Sequence, residues 1–303
     1  MNSAVLKRKK LKTGMVEQRT IGSRITQLIL MLVVGVLAVI CLLPMWHVLM
    51  SSISDGFELV SHKGLVLWPI GDANLEGYKL VFKDAGILKG YLNTLIYVAG
   101  TVSLGFVINV LGGYALSRKT KLGAVMMVYL IVPLMFGGGM IPQFMVMKSL
   151  GLVGTRLPII LIEATMGIYV VMGSMAFRSV PASTVEAARI DGAGHFRVMF
   201  QVMFPQCRGM FTVTMLMTFV GSWNSWLTAA IYVPGNRDLW PVQLWIKQII
   251  ADNDGLFKQI NPNYSQFLVQ FAVIAAATIP MMIAIPFFSK QIEAGVITGG
   301  VKE

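Results

Sequence analysis

Apolar residues in this chain come in long unbroken runs, not in the two-residue or 3.6-residue stripes of a half-buried element. No charge occurs between Arg24 and Asp55, and residues 25–50 form a first run that exceeds the ~20 apolar residues a bilayer requires. Lys89 and Arg118 bracket a second run, 91–116, and Lys121 and Lys148 bracket a third, 122–147. A fourth covers 157–177 and holds one acid, Glu163; a fifth covers 209–233 and a sixth 267–289. Lipid offers no water to a bare backbone amide, so each run is expected to be helical. The pattern predicts an all-α membrane protein with six transmembrane helices. Pro44, Pro133, Pro142, Pro280 and Pro286 fall in or at the ends of these runs, where neighbouring helices re-satisfy the carbonyls a kink frees.

Composition agrees. Of 303 residues, 55% are hydrophobic and 13% charged, with a mean hydropathy of +0.70, whereas soluble domains carry about 25% charged residues. Too little polar surface remains to coat a globule, which excludes a soluble enzyme. Lys and Arg number 25 against 14 Asp and Glu, a net charge of +11. The positives gather between the apolar runs, which argues for membrane topology over nucleic-acid binding. The tail 1–24 carries seven of them, and Arg118, Lys119 and Lys121 follow the second run. Arg178, Arg189, Arg197 and Arg208 follow the fourth run, and Lys290 and Lys302 lie near the C-terminus. By the positive-inside rule both termini are expected in the cytoplasm. The first run is longer than the apolar core of a cleavable signal peptide and reads as a retained helix. Cys41 and Cys207 fit no disulfide framework or metal spacing and read as unpaired thiols.

The chain has no G-x-x-x-x-G-K-[ST] phosphate loop and no H-E-x-x-H, so neither of those motifs supplies phosphate cradling or zinc hydrolysis. Glu163 lies six residues into the fourth run, ~9 Å from its outer end at 1.5 Å per residue. An intramembrane acid is a functional candidate; a pathway role and a hydrogen bond between helices or subunits both fit it. Three classes compete: a permease driven by a separate ATPase, an ion-coupled secondary transporter acting without one, and an integral membrane enzyme. The second would need several ionisable groups within the spans, and the third a polar catalytic cluster near one interface.

The loop 178–208 is the most informative segment. Ser183 and Glu186 fit the S-x-x-E capping box, which predicts a short helix from near Thr184. Gly192 and Gly194 should end it, and a second amphipathic helix should run to Pro205. Ala187 and Ala188 keep one face slim enough for another protein to approach closely; a connector lying on the membrane surface is the plainer alternative.

Glu186-Ala187-Ala188, three residues, Gly192, nine residues, then Val202-Met203-Phe204-Pro205 resembles the E-A-A-x3-G-x9-I-x-L-P loop of ABC importer permeases. Trp223-Asn224-Ser225-Trp226 and the terminal stretch Ile292 to Lys302 resemble the carbohydrate branch, in particular the maltose-type second permease. Tyr91-Leu92-Asn93-Thr94, Ala115-Leu116-Ser117-Arg118 and the stretch from Gly138 to Leu152 resemble permeases for oligosaccharides derived from complex polysaccharides, alginate among them. The similarity covers residues 25–303 and departs at Met172 to Phe177, where the polysaccharide group often has an Arg before its aromatic pair.

This resemblance implies an ABC importer type I permease fold with a cytoplasmic coupling helix. It also implies a second permease subunit, two ATPase subunits that carry the ATP and Mg, and an extracytoplasmic solute-binding protein. No cofactor is expected on this chain. Glu186, Ala187, Ala188, Asp191 and Gly192 would seat on the ATPase, and Gly300 and Lys302 would reach between the two ATPases. Sugars need flat aromatic faces and amide or hydroxyl partners, types supplied by Trp223, Asn224, Trp226, Asn93 and Asn109, and Glu163 is a further candidate along the substrate path. Packing and inter-helix hydrogen bonds are the competing roles for these residues. Trp240 and Trp245, in the outer loop from Pro234 to Gln266, would meet the binding protein.

Overall fold

The computed structural model describes residues 21–118, 120–251 and 266–300, and among them the secondary structure is helical throughout. The basic tail up to residue 20, Lys119 and Lys302 lie outside the described residues. The chain divides into two compact units, 1–47 and 48–303.

The described part of the first unit belongs to α1 (Ile21–Ser52), which contains Pro44 without ending there. Leu28, Leu32 and Val36 are exposed like their neighbours. An apolar helix that shows its side chains on all sides is built for lipid or for other membrane helices.

The second unit begins with the end of α1 and two short helices, α2 (Gly56–Ser61) and α3 (Glu76–Lys83). Asp55 caps α2 through the amides of Phe57 and Glu58. α4 (Ala85–Ser117) follows, begun by the Asp84 carboxylate on the amide of Ile87 at 2.9 Å. Next come α5 (Lys121–Met135) and α6 (Met140–Ser149), then α7 (Leu157–Ala164) and α8 (Gly167–Arg178). After α9 (Ala182–Ile190) and α10 (His195–Arg197), a π-helical segment at Val198–Met203 leads into α11 (Phe204–Trp223). α12 (Trp226–Tyr232), α13 (Val242–Ala251) and α14 (Gln266–Gly300) complete the fold.

Among the described residues, four helical stretches are long and apolar enough to cross a membrane: 24–52, 85–117, 157–178 and 267–284. The expected third run is not one straight rod. It breaks between Phe136 and Gly139, and α5 and α6 meet at 119°. Gly139 has φ +82 and ψ 177, an extended positive-φ conformation open essentially to glycine alone, so the glycine run Gly137–Gly139 sets the bend. Counted as one broken span, this pair makes a fifth. The expected fifth run also differs. α11 starts at Phe204, ahead of position 209, and the helix stops at Trp223 before restarting at Trp226. The fourth run is interrupted at Thr165 and Met166, between α7 and α8, yet still counts as one span.

α4 is the central post, packed against α7, α8, α11 and α13, while α14 packs on α11 and α3. Between lipid-embedded helices the hydrophobic effect adds little, so close packing and polar contacts must hold them. Both are present. A Cβ on Gly113 would lie 2.9 Å from the carbonyl carbon of Gly173, so the backbones of α4 and α8 touch there. A Cβ on Gly173 would meet the Asn109 side chain. Along α4, Asn93, Thr94, Tyr97, Thr101 and Asn109 form a buried polar stripe. Asn109 donates to Thr214 Oγ1 at 2.7 Å, and Ser222 donates to Thr101 at 3.3 Å, both on α11.

Replacing Gly173 by Val should force α8 off α4, at a cost of several kcal/mol or a failure to fold, since overpacking costs ~1–3 kcal/mol even without a backbone in the way. A lower melting temperature of the detergent-solubilised protein, or its loss from the monodisperse chromatographic peak, is the expected result.

Candidate functional site

The segment 178–208 builds an exposed helix and turn on a firm apolar base. Val185 of α9 is buried with Val110, Phe177, Val198, Met199 and Phe211, drawn from α4, α8, the π segment and α11. Ala188 and Ala193 pack against the same cluster. On the opposite face Glu186, Ala187, Asp191 and Gly192 are exposed.

The start of α9 corrects the capping box. The helix begins at Ala182 with Pro181 in the cap position, and no side chain caps it. Proline fixes φ near the helical value and has no N–H to leave unsatisfied, so the helix starts two residues earlier than a Ser183 hydroxyl would place it. Ser183 becomes an ordinary first-turn residue.

The end of α9 explains the glycine of the motif. Gly192 has φ +78. Its amide donates to Arg189 O and the amide of Ala193 to Ala188 O, each at 3.0 Å. These two bonds form a Schellman motif, which needs a left-handed residue where Gly192 sits. The chain then turns through Gly194 into α10. An open recess of about 600 Å3 lies here, lined by Arg189, Gly192, Ala193, Gly194, His195 and Val198. Beside it Ile190 and Phe196 are 86% and 72% exposed, large apolar side chains displayed on a turn.

The expected second helix does not stop at Pro205. The π segment takes the chain through that residue into α11, where Pro205 occupies the first turn. A proline removes one ladder donor and crowds the preceding turn; the wider π turn makes room. Gln206 Nε2 donates to Val202 O at 2.8 Å, and Cys207 Sγ to Met203 O at 3.2 Å, which returns donors to carbonyls of that segment.

The residues considered for a substrate path separate into two groups. Asn93 is fully engaged within the protein. It donates to Asp238 O and Trp240 O at 2.8 and 3.1 Å and accepts from Arg156 at 2.8 Å. Asn109 is buried against Thr214, and Trp223 is buried with its indole N–H on Ala277 O at 3.3 Å. These three hold helices together. Asn224 and Trp226 are exposed, on either side of Ser225 at the break between α11 and α12. Glu163 is half-buried on α7, and a Cβ added to Gly221 of α11 would lie 3.3 Å from its carboxylate oxygen. Lys247 Nζ sits 5.2 Å from the centre of the Trp226 ring, within cation–π range. The expected outer loop 234–266 instead contains α13, which is what brings Lys247 to Trp226.

Trp240 is a core residue. Its ring is buried, its N–H donates to Val233 O at 2.9 Å, and it meets Trp245 edge-on at 5.1 Å. Trp245 lies against α4, so close that a Cβ on Gly86 or Gly90 would strike its ring. The segment Arg237–Ala251 is therefore folded onto α4, and Lys89 on α4 pairs with Asp238 at 2.7 Å. Gly300 ends α14.

Residues 91–298 match the family described as the binding-protein-dependent transport system inner membrane component. The chain belongs to this family, and is the multi-pass permease component of a binding-protein-dependent ABC importer in the inner membrane. It is similar to the polygalacturonan/rhamnogalacturonan transport system permease protein YtcP of Bacillus subtilis strain 168, with 32% identity over 282 residues, covering 90% of this chain and 97% of YtcP. It is also similar to the diacetylchitobiose uptake system permease protein NgcG of Streptomyces coelicolor, 27% identical and covering 86% and 84% of the two chains. Among solved structures, a chain of a bacterial ABC transporter involved in the import of the acidic polysaccharide alginate matches with a TM-score of 0.81 and 27% identity, covering 89% of this chain and 98% of that one.

Gly192→Val should weaken the turn by ~1–2 kcal/mol through its left-handed backbone, whereas Gly192→Asn, which tolerates that conformation better, should cost less. Proteolysis of the 189–195 segment, followed with time, should rank the variants in that order.

Proposed function

We propose that this permease imports oligosaccharides released from complex polysaccharides, and that α9 and the turn after it are its coupling helix. The reading is supported by the relatives named above, which serve polygalacturonan/rhamnogalacturonan, diacetylchitobiose and alginate systems. The observation that carries it is the exposed face of Glu186, Ala187, Asp191 and Gly192 on a helix whose other face is anchored by Val185. A lever needs this construction: a free contact surface and a base that does not yield.

In this proposal the chain crosses the membrane six times, the α5–α6 pair and the α11–α12 pair each counting as one bent span. Both termini, the tail 1–24 and the loop 178–208 lie in the cytoplasm, and residues 25–303 form one transmembrane domain. The gathering of Arg118, Arg178, Arg189 and Arg197 around the ends of α4 and α8 supports this orientation. Two ATPase subunits bind ATP and Mg, and one seats α9 with Ile190 and Phe196 beside it. Gly300 and Lys302 carry the C-terminus toward the ATPases. A second permease completes the pathway. The sugar passes Glu163, Asn224 and Trp226, while Asn93, Asn109 and Trp223 hold the surrounding wall. The solute-binding protein docks over the segment that Trp240 and Trp245 fasten to α4.

The test is Glu186→Ala in the complete transporter reconstituted in vesicles with its binding protein. The complex should assemble, and sugar import and sugar-stimulated ATP hydrolysis should fall about tenfold or more, as expected for loss of a charged hydrogen bond of ~1.5–3 kcal/mol. Import and hydrolysis at wild-type rates would overturn the coupling assignment.

A further inference from the structure

Tyr114, near the C-terminal end of α4, joins three elements at one point. Its hydroxyl donates to the main-chain carbonyl of His195 at 3.1 Å and lies 3.3 Å from His195 Nδ1. The same hydroxyl accepts from the Arg118 guanidinium, whose carbon stands 4.3 Å above the Tyr114 ring. The ring meets Phe177 of α8 edge-on at 5.7 Å. One side chain thus grips the turn after α9, the last turn of α4 and the last turn of α8. Arg178 closes the joint by donating to Leu116 O at 2.8 Å, placing a cation at the negative end of the α4 dipole.

We propose that Tyr114 is a positioning residue that passes the displacement of the 191–195 turn to α4. The apolar cluster beneath α9 resists separation, but apolar contacts have no preferred direction, so they let elements slide. A hydrogen bond to a carbonyl is directional. Tyr114 supplies the directional link between the turn and α4, and Arg118 fixes its hydroxyl. α4 in turn packs on α7, α8, α11 and α13, so a shift of its end reaches the helices that carry Glu163 and Asn224.

This inference rests on the coupling reading above, and the experiment separates the two. The complete transporter is reconstituted with its binding protein, and sugar imported per ATP hydrolysed is measured for the wild type, Tyr114→Phe, Arg118→Met and Glu186→Ala. Tyr114→Phe keeps the ring against Phe177 and removes the hydroxyl. It should assemble normally and keep its hydrolysis without binding protein, while sugar imported per ATP falls about fivefold, the factor for one lost hydrogen bond. Arg118→Met should lower the ratio in the same direction. A merely structural role for Tyr114 would lower assembly, hydrolysis and import together and leave the ratio unchanged. If Glu186→Ala lowers import about tenfold or more while both other variants keep the wild-type ratio, the Tyr114 link is wrong and the coupling helix stands. If Glu186→Ala also imports normally, the coupling reading itself falls.

Discussion

The contact on which this architecture depends is the close approach of α4 and α8 at Gly113 and Gly173. Lipid tails are as apolar as leucine, so burying leucine between helices gains little in a membrane. Backbones that touch, and amides and hydroxyls that find partners across the gap, have to supply the adhesion. Without Cβ atoms at that crossing, Asn109 can lie between α4, α8 and Thr214 of α11, and Phe177 can reach Tyr114 and Phe211. The apolar base of α9 is assembled on that crossing.

The same logic orders the two ends of α4. At its N-terminal end Asn93, Thr94 and Tyr97 bind the 238–242 segment through three side chains one turn or less apart. At its C-terminal end the Tyr114 hydroxyl donates to His195 O, and Leu116 O accepts from Arg178. One long helix thus fastens a folded segment at one end and an exposed helix and turn at the other, with the breaks at Thr165 and Asn224 between them. An importer that must relate events on its two faces has a use for a rigid member that touches both.

Much of this was legible in the sequence, because hydropathy runs follow directly from what lipid demands of a backbone. The E-A-A loop was legible too, since Glu186, Ala187, Ala188 and Gly192 stand at the spacing the motif prescribes. The misreadings are local and share a cause. A run of apolar residues does not record where a helix bends, so the breaks at Gly137–Gly139 and Asn224–Ser225 passed as continuous span. Pro181 outranked Ser183 as the start of α9 because fixed φ and a missing N–H act on the backbone itself. The buried stripe of Asn93, Tyr97 and Thr101 has a four-residue spacing that was visible, yet its partners lie on segments distant in sequence. Trp240, expected to meet the binding protein, is buried within this chain, and its partners on α4 are likewise distant in sequence. The Tyr114–His195 contact left no sequence signal, as two residues 81 positions apart share no periodicity.

The central claim is that the turn after α9 and the end of α4 move as one body. Spin labels at Gly194, where a side chain would meet nothing within 4 Å, and at Ala115, both exposed, introduced after replacement of Cys41 and Cys207 by serine, report the separation of the turn from the end of α4 by pulsed electron resonance in the complete transporter. The account predicts one narrow distance that is the same without nucleotide, with ATP and after hydrolysis, while import activity is retained. A distance that shifts or splits between those states, in a transporter still importing sugar, would contradict it.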